Sequence, residues 1–299
     1  MIAKFKTFRF VLSHVLALGT CLAVIDVAVA AAPAISINVM SWNIRYDNPR
    51  DGVNAWKHRK QWVSQIIARE KIDIAGLQEV LKRQLDDLKK RLPEMAVYGV
   101  GRNDGKTRGE FAPILYRKSR YELLDQSTFW LSRTPDKVAS RDWDAAITRI
   151  ASWVKLKDRK SKKIFFVVNT HFDHRGREAR RNSAALIVKR LGKQFANHPV
   201  VLMGDFNTMP GSAPYKLLVN KAAKQGRAFF DARSRTAKKP TGPVSTWNGF
   251  RAIVPNRRID FIFVTRSVEV LRHSTLADQR KGRFPSDHLP VVAGIRLAK

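Results

Sequence analysis

Val200-Val201-Leu202-Met203 is an apolar run that stops at Gly204 and is followed by Asp205, Phe206 and Asn207. The run is too short for a helix, lies between Pro199 and Gly204, and reads as a buried strand. Period-two alternation then puts the Asp205 carboxylate and the Asn207 amide on one side of the backbone, with Phe206 on the other. An Asx turn closing a strand would account for this stretch alone equally well. The pattern recurs along the chain, however. Asn43, Glu79 and the pair His171 and Asp173 each sit where an apolar run ends, and Asp287 and His288 precede the last one. Asp260 lies inside the apolar run 258–264, where an unpaired carboxylate is costly, so it needs a partner. Together these are carboxylates, amides and two histidines without a cysteine. Such a set suits a hard divalent ion, Mg²⁺ or also Mn²⁺, held by a few oxygens and completed by water and a phosphate. It does not suit structural zinc.

The elements that must position these groups follow from the hydrophobic period. Residues 35–40 alternate and read as a first strand. A helix near 57–69 places Trp62, Val63, Ile66 and Ile67 on one face. A second strand covers 72–77, and a charged helix runs from 81 to 92, stopped by Pro93. Residues 95–100, 112–116, 121–131, 149–156 and 164–169 carry β-type composition. Ala184, Ile187, Val188, Leu191 and Phe195 have helical spacing, with Arg181, Lys189, Arg190 and Lys193 on the other side. A short helix is expected near 214–224, a polar basic loop over 226–243, and further strands at 258–264, 268–271 and 291–297. No short-period repeat is present. Strands that first alternate with helices and then cluster predict α/β layers, with two packed sheets and helices outside.

Length and composition set further bounds. At 299 residues and 44% hydrophobic, the chain can bury a substantial core. Lys4, Lys6 and Arg9 precede an apolar run from Phe10 to Val29, and Ala28-Val29-Ala30 has the form of a cleavage site. Residues 1–30 therefore read as a signal peptide, with His14 and Asp26 interrupting the run against a membrane anchor. Export to the periplasm or the medium is the expectation, with residues 31–299 as one domain. Cys21, the sole cysteine, lies in the leader, so no disulfide is expected in the rest. The formal net charge is +31, and about +29 remains beyond residue 30, where three bases against one acid are removed. Such an excess speaks to partners rather than fold: nucleic acid, anionic lipid or acidic glycan.

Ser41-Trp42-Asn43-Ile44, Gln78-Glu79-Val80, Asn169-Thr170-His171, Gly204-Asp205-Phe206-Asn207, Arg258-Ile259-Asp260-Phe261-Ile262 and Ser286-Asp287-His288-Leu289-Pro290 resemble, in the same order, the motifs of the endonuclease/exonuclease/phosphatase superfamily. The resemblance spans about Ile37 to Leu297. It implies a four-layer α/β sandwich of two packed, mainly antiparallel sheets flanked by helices, and Mg²⁺-assisted phosphoester hydrolysis. It places Asn43, Glu79 and Asp287 around the metal. Asp205 and Asn207 would activate water and hold the phosphate, and His171 would contact phosphoryl oxygens. Asp260 would pair with His288, and the base is left as either His288 or Asp205. Arg149, at the start of a strand, is a further phosphate candidate or one surface arginine among many. Gly109-Glu110-Phe111-Ala112-Pro113 and Phe129-Trp130-Leu131-Ser132-Arg133 are similar to a group of bacterial members without assigning a substrate.

The leading expectation is an exported Mg²⁺-dependent phosphodiesterase of nucleic acid, a monomer without an obligate protein partner. Basic side chains would grip the backbone with little base preference. Arg175, Arg177, Arg180 and Arg181 follow His171-Phe172-Asp173 and are expected at the rim of the site. The alternative is a phosphatase or phospholipase C-like enzyme acting on phospholipid headgroups or sugar phosphates, since charge also favours anionic membranes. A non-catalytic binding protein is disfavoured by the complete motif set. The ligand set predicts that turnover of a simple phosphoester stops in excess chelator and returns with Mg²⁺ or Mn²⁺, and that Glu79→Gln greatly weakens it. Undiminished turnover in chelator would remove the metal from the account.

Overall fold

β-Branched and aromatic runs pair into two six-stranded sheets. The computed structural model describes residues 36–195, 197–219 and 228–298. The leader expected at 1–30 lies outside these residues, as does the segment 220–224 of the expected short helix. In chain order the elements are β1 (Ile37–Asn43), α1 (Trp56–Arg69), β2 (Ile74–Gln78), α2 (Lys82–Arg91), β3 (Met95–Tyr98), β4 (Ile114–Arg117), β5 (Tyr121–Trp130), β6 (Ile150–Asp158), β7 (Ile164–His171), α3 (Arg177–Gln194), β8 (Val200–Asp205), α4 (Ala213–Val219), β9 (Phe230–Asp231), α5 (Ala232–Arg235), β10 (Asp260–Val264), β11 (Val268–Thr275) and β12 (Val291–Leu297).

One sheet runs β11-β12-β1-β2-β4-β3 and the other β5-β6-β7-β8-β10-β9. Each holds one parallel pair, β1 with β2 and β7 with β8. All their other strand pairs are antiparallel. A parallel pair requires a crossover, and α1 and α3 supply the two. The inner faces meet in one apolar cluster, in which Val39, Ile74 and Ile295 pack with Val167, Met203 and Ile262. The outer face of the first sheet buries Trp56, Val63, Ile67, Leu85 and Leu88 of α1 and α2. The outer face of the second buries Ala184, Ile187 and Leu191 of α3 and Leu218 of α4. The expected four layers follow: helices, sheet, sheet, helices.

One expectation is corrected. The stretch read as a polar loop over 226–243 contains β9 and α5. β9 pairs Asp231 with Phe263 and Phe230 with Val264 of β10. A two-residue strand is too short to show a period. What anchors it is the buried Asp231 carboxylate, which accepts from Arg258 at 2.5 Å and Tyr215 at 3.0 Å. Helix α3 begins at Arg177, ahead of its apolar face. Asp144, far back in the chain, caps it by accepting from the Glu178 and Ala179 amides at 3.1 and 2.6 Å.

At the end of the sandwich that carries the polar motifs, the sheets are tied by an amide. Asn169 of β7 donates to the carbonyls of Leu77 and Pro113 at 2.7 and 2.8 Å, and accepts from Gln78 at 2.6 Å. All three belong to the opposite sheet or its loops. Gly76 makes room for this crossing, because a Cβ there would lie 2.9 Å from the Asn169 side chain. Asn169→Ala would remove three buried hydrogen bonds between the sheets, and we expect it to cost about 3 kcal/mol in urea unfolding. A loss below about 0.5 kcal/mol would show that the tie contributes little.

Candidate active site

Both parallel pairs aim their carboxyl ends at one place. Asn43 ends β1 opposite Gln78 at the end of β2, and Glu79 is the next residue. His171 ends β7 opposite Asp205 at the end of β8. Crevices at the carboxyl ends of parallel strands are common binding sites in α/β sheets. Asp260 begins β10 directly across from Asp205, and the segment before β12 brings Asp287 and His288 in beside β1. Eight of the nine sequence-predicted residues, Arg149 being the exception, therefore surround one centre, with Asn207 two residues past Asp205.

The hydrogen bonds give each a geometry. The Asn43 amide donates one hydrogen to Glu79 Oε1 at 3.1 Å and the other to Asp205 Oδ2 at 3.0 Å. It thereby links a carboxylate of one sheet to a carboxylate of the other. His288 Nδ1 donates to Asp260 Oδ2 at 2.9 Å, which is the partner the buried acid requires, and His288 Nε2 lies 3.8 Å from Asp205 Oδ2. The Asn207 amide nitrogen lies 3.1 Å from the Phe172 carbonyl and 3.0 Å from His171 Nε2. A carbonyl can only accept, so the NH₂ group faces that side and donates to His171 Nε2, leaving the imidazole proton on Nδ1. His171 Nε2 is also 3.3 Å from Asp205 Oδ2. Glu79 and Asn207 reach these positions with left-handed backbone, φ 60° and 46°, as does Arg45 at 57°. Such conformations are unusual for residues with side chains and recur at functional sites.

Electrostatics separates the two histidines. Burial first, then Arg149 and Arg102, hold His171 well below the ordinary imidazole value, so it is neutral. Burial opposes charge on His288 too, but Asp260 and Asp205, with Asp287 behind them, outweigh it and hold the imidazole well above its ordinary value. Burial and the nearby Asp260 raise the Asp205 carboxyl to about 7. Asp287 is raised by burial, with Glu79 adding to it and His288 opposing.

Several participants were not assigned roles from sequence. Arg45 faces Glu79 at 3.9 Å and Asp287 at 4.0 Å. Arg59, on α1, donates to the carbonyls of Ile44 and Pro285 at 2.7 and 2.9 Å. It thus holds the segments bearing Asn43 and Asp287, and burial lowers its pKa to about 10. Its signal was legible, because Arg59 falls on the apolar face of α1 between Trp56 and Trp62. Glu110 pairs bidentately with Arg102 at 2.7 and 2.8 Å and lies 3.9 Å from His171 Nδ1. No periodicity marks it. Arg149, expected from sequence as a phosphate contact or a surface arginine, is instead buried, its Nη2 3.2 Å from His174 Nδ1, with Glu110 and Asp173 at 3.9 and 3.8 Å. The cavity it shares with His171 is about 10 Å³, space for a water and too small for a phosphate. Asp173 accepts from the Arg175 and Gly176 amides and shapes the loop.

The donor set fits a divalent cation. Asp205, Asp260 and His288 offer ligand atoms within 4.8 Å of one another, but Asp260 is engaged by His288 Nδ1. Glu79 and Asp287 are better placed. Glu79 raises the cost of charge on Asp287, Arg45 faces both carboxylates, and the Asn43 carboxamide adjoins Glu79.

A sequence model of the endonuclease/exonuclease/phosphatase family matches residues 40–288. A solved endonuclease/exonuclease/phosphatase from Bacteroides vulgatus is 43% identical with a TM-score of 0.84, covering 88% of this chain and 99% of that one. The mannosyl-6-phosphatase of Bacteroides thetaiotaomicron is 34% identical with a TM-score of 0.79, covering 87% and 99%. The CCR4-Not complex 3'-5'-exoribonuclease subunit Ccr4 of Mycosarcoma maydis is 25% identical over 345 residues, 88% of this chain and 51% of that protein. The chain spans about half the length of such curated relatives.

Asp260→Asn removes the anion that most favours the His288 imidazolium. The folded pKa of His288 should therefore fall, so that the imidazole loses its proton at lower pH than in the wild type. Histidine NMR titration reads this directly. An unmoved His288 titration would mean that Asp260 does not set its charge.

Proposed function

The chain belongs to the endonuclease/exonuclease/phosphatase family, and from that premise we propose that it is a divalent-metal-dependent phosphatase of sugar phosphates. Hydrolysis of phosphoester bonds is the chemistry of the family, and this chain is such a hydrolase. The observation that carries the mechanism is the Asp205 carboxylate, buried, raised to about 7 and 3.0–3.8 Å from Asn43, His171 and His288.

Glu79, Asp287 and Asn43 would hold the metal, with Mg²⁺ favoured by their oxygen donors. When bound it neutralises phosphoryl oxygens and the leaving oxygen. Asp205 takes the proton of the attacking water, since a base poised near neutrality combines availability with driving force. His288, kept charged by Asp260, faces Asp205 and stabilises negative charge that develops on the phosphoryl group. Asn207, donating to neutral His171 and to the Phe172 carbonyl, holds that imidazole beside Asp205. Arg59 fixes the two backbone segments that present Asn43 and Asp287.

The substrate class rests on similarity across nearly the full length to the mannosyl-6-phosphatase, at 34% identity, against 25% for the exoribonuclease subunit. A second reading, cleavage of nucleic acid, is favoured by the net charge of +31. Export directed by residues 1–30 belongs to the same proposal.

Activity should rise with pH through about 7, as Asp205 loses its proton, and hold until His288 loses its own. Asp205→Asn should lower kcat by about 10²–10⁴-fold with thermal unfolding little changed. Turnover of hexose 6-phosphates, duplex DNA and single-stranded RNA, each with Mg²⁺, decides the substrate. Cleavage of nucleic acid without release of phosphate from the sugars would replace the first reading by the second.

A further inference from the structure

Beside the reactive centre lies a cleft of about 270 Å³ lined by Arg177, Arg180 and Arg181 of α3, with Thr208, Ser212 and Glu178. Thr208 directly follows Asn207, and Arg180 donates to the Asp173 carbonyl at 3.0 Å, two residues past His171. The cleft is thus within about two residue lengths, ~7 Å, of the centre. Arg175, expected at the same rim, does not line it.

The source of its charge can be assigned. The amides of the first turn of α3 are occupied by Asp144, so the helix end contributes little. Ser212 Oγ donates to the Met209 carbonyl at 2.6 Å, so the Thr208 hydroxyl must donate to Ser212 at 2.6 Å. The floor therefore offers acceptors and is held rigid. Among the described residues, Arg177 and Arg181 make no side-chain hydrogen bond or ion pair. Attraction in the cleft resides in the guanidiniums, opposed by Glu178. Guanidinium forks match phosphate oxygens bidentately.

We infer that this cleft is a second anion subsite, which binds a further phosphate of a substrate whose scissile phosphate lies at Asp205. The inference rests on the phosphoester-hydrolase reading above. The second phosphate is either that of a sugar bisphosphate or the next phosphodiester of a nucleic acid.

Calorimetry with inorganic phosphate in excess chelator tests the subsite without turnover, because the metal-free centre is rich in carboxylates and repels the anion. Binding should weaken at least tenfold in the Arg177→Gln, Arg181→Gln double variant. Glu178→Gln should tighten it about threefold, and wild-type affinity should fall steeply with salt. Unchanged phosphate affinity in the double variant overturns the subsite. Kinetics then identifies the source. In the double variant, the kcat/KM ratio should fall about tenfold either for a hexose bisphosphate over its monophosphate or for a short oligonucleotide over a mononucleotide ester. Neither ratio falling also overturns it. If the wild type hydrolyses no phosphoester, the hydrolase reading fails, and the calorimetric result still decides the subsite.

Discussion

Four carboxylates, Glu79, Asp205, Asp260 and Asp287, are gathered at one end of this protein with little access to water, and like charges so placed repel. The surrounding structure answers that repulsion. Asn43 donates a hydrogen to each of two of them, His288 sits charged between Asp260 and Asp205, and Arg45 faces the other two. The compensation is incomplete, since Asp205 and Asp287 both remain raised. A site that favours an added cation and holds a carboxyl near neutrality is the chemical result. The same crowding that burdens the fold prepares the reaction.

The architecture makes such crowding possible. Each sheet contributes one parallel pair, so each presents two strand ends in the same direction. Packing the sheets face to face brings the four ends together. Asn169 ties the sheets near this point, and Gly76 permits the approach. Left-handed backbone at Glu79 and Asn207 turns their side chains inward as the strands stop. Rigidity comes from the apolar layers on either side of the sheets.

Around the centre the charge is reversed. The Arg177–Arg181 cleft borders an acidic heart, so an anion is drawn to the rim while the interior is suited to a metal. Buried arginines serve a different purpose. Arg59 and Arg149 are spent on carbonyls, on His174 and on nearby acids, so their contribution is to geometry and to keeping His171 neutral. The large net charge is therefore divided between surface attraction and internal support.

Sequence alone determined the layers, most strand and helix positions, and the residues of the centre. It could do so because burial imposes a period of two or 3.6 on side chains, and because a polar residue that interrupts an apolar run must find a partner. Asp260 announced its need for one in this way. Tertiary structure alone decided which groups meet. That Asn43 spans Glu79 and Asp205, that Asp144 starts α3, and that Arg149 turns toward His174 rather than an open face all depend on contacts between distant segments. So do β9, held by Asp231, and the role of Glu110 beside Arg102. Local periodicity reports which side of an element is buried, but it carries no record of what lies opposite.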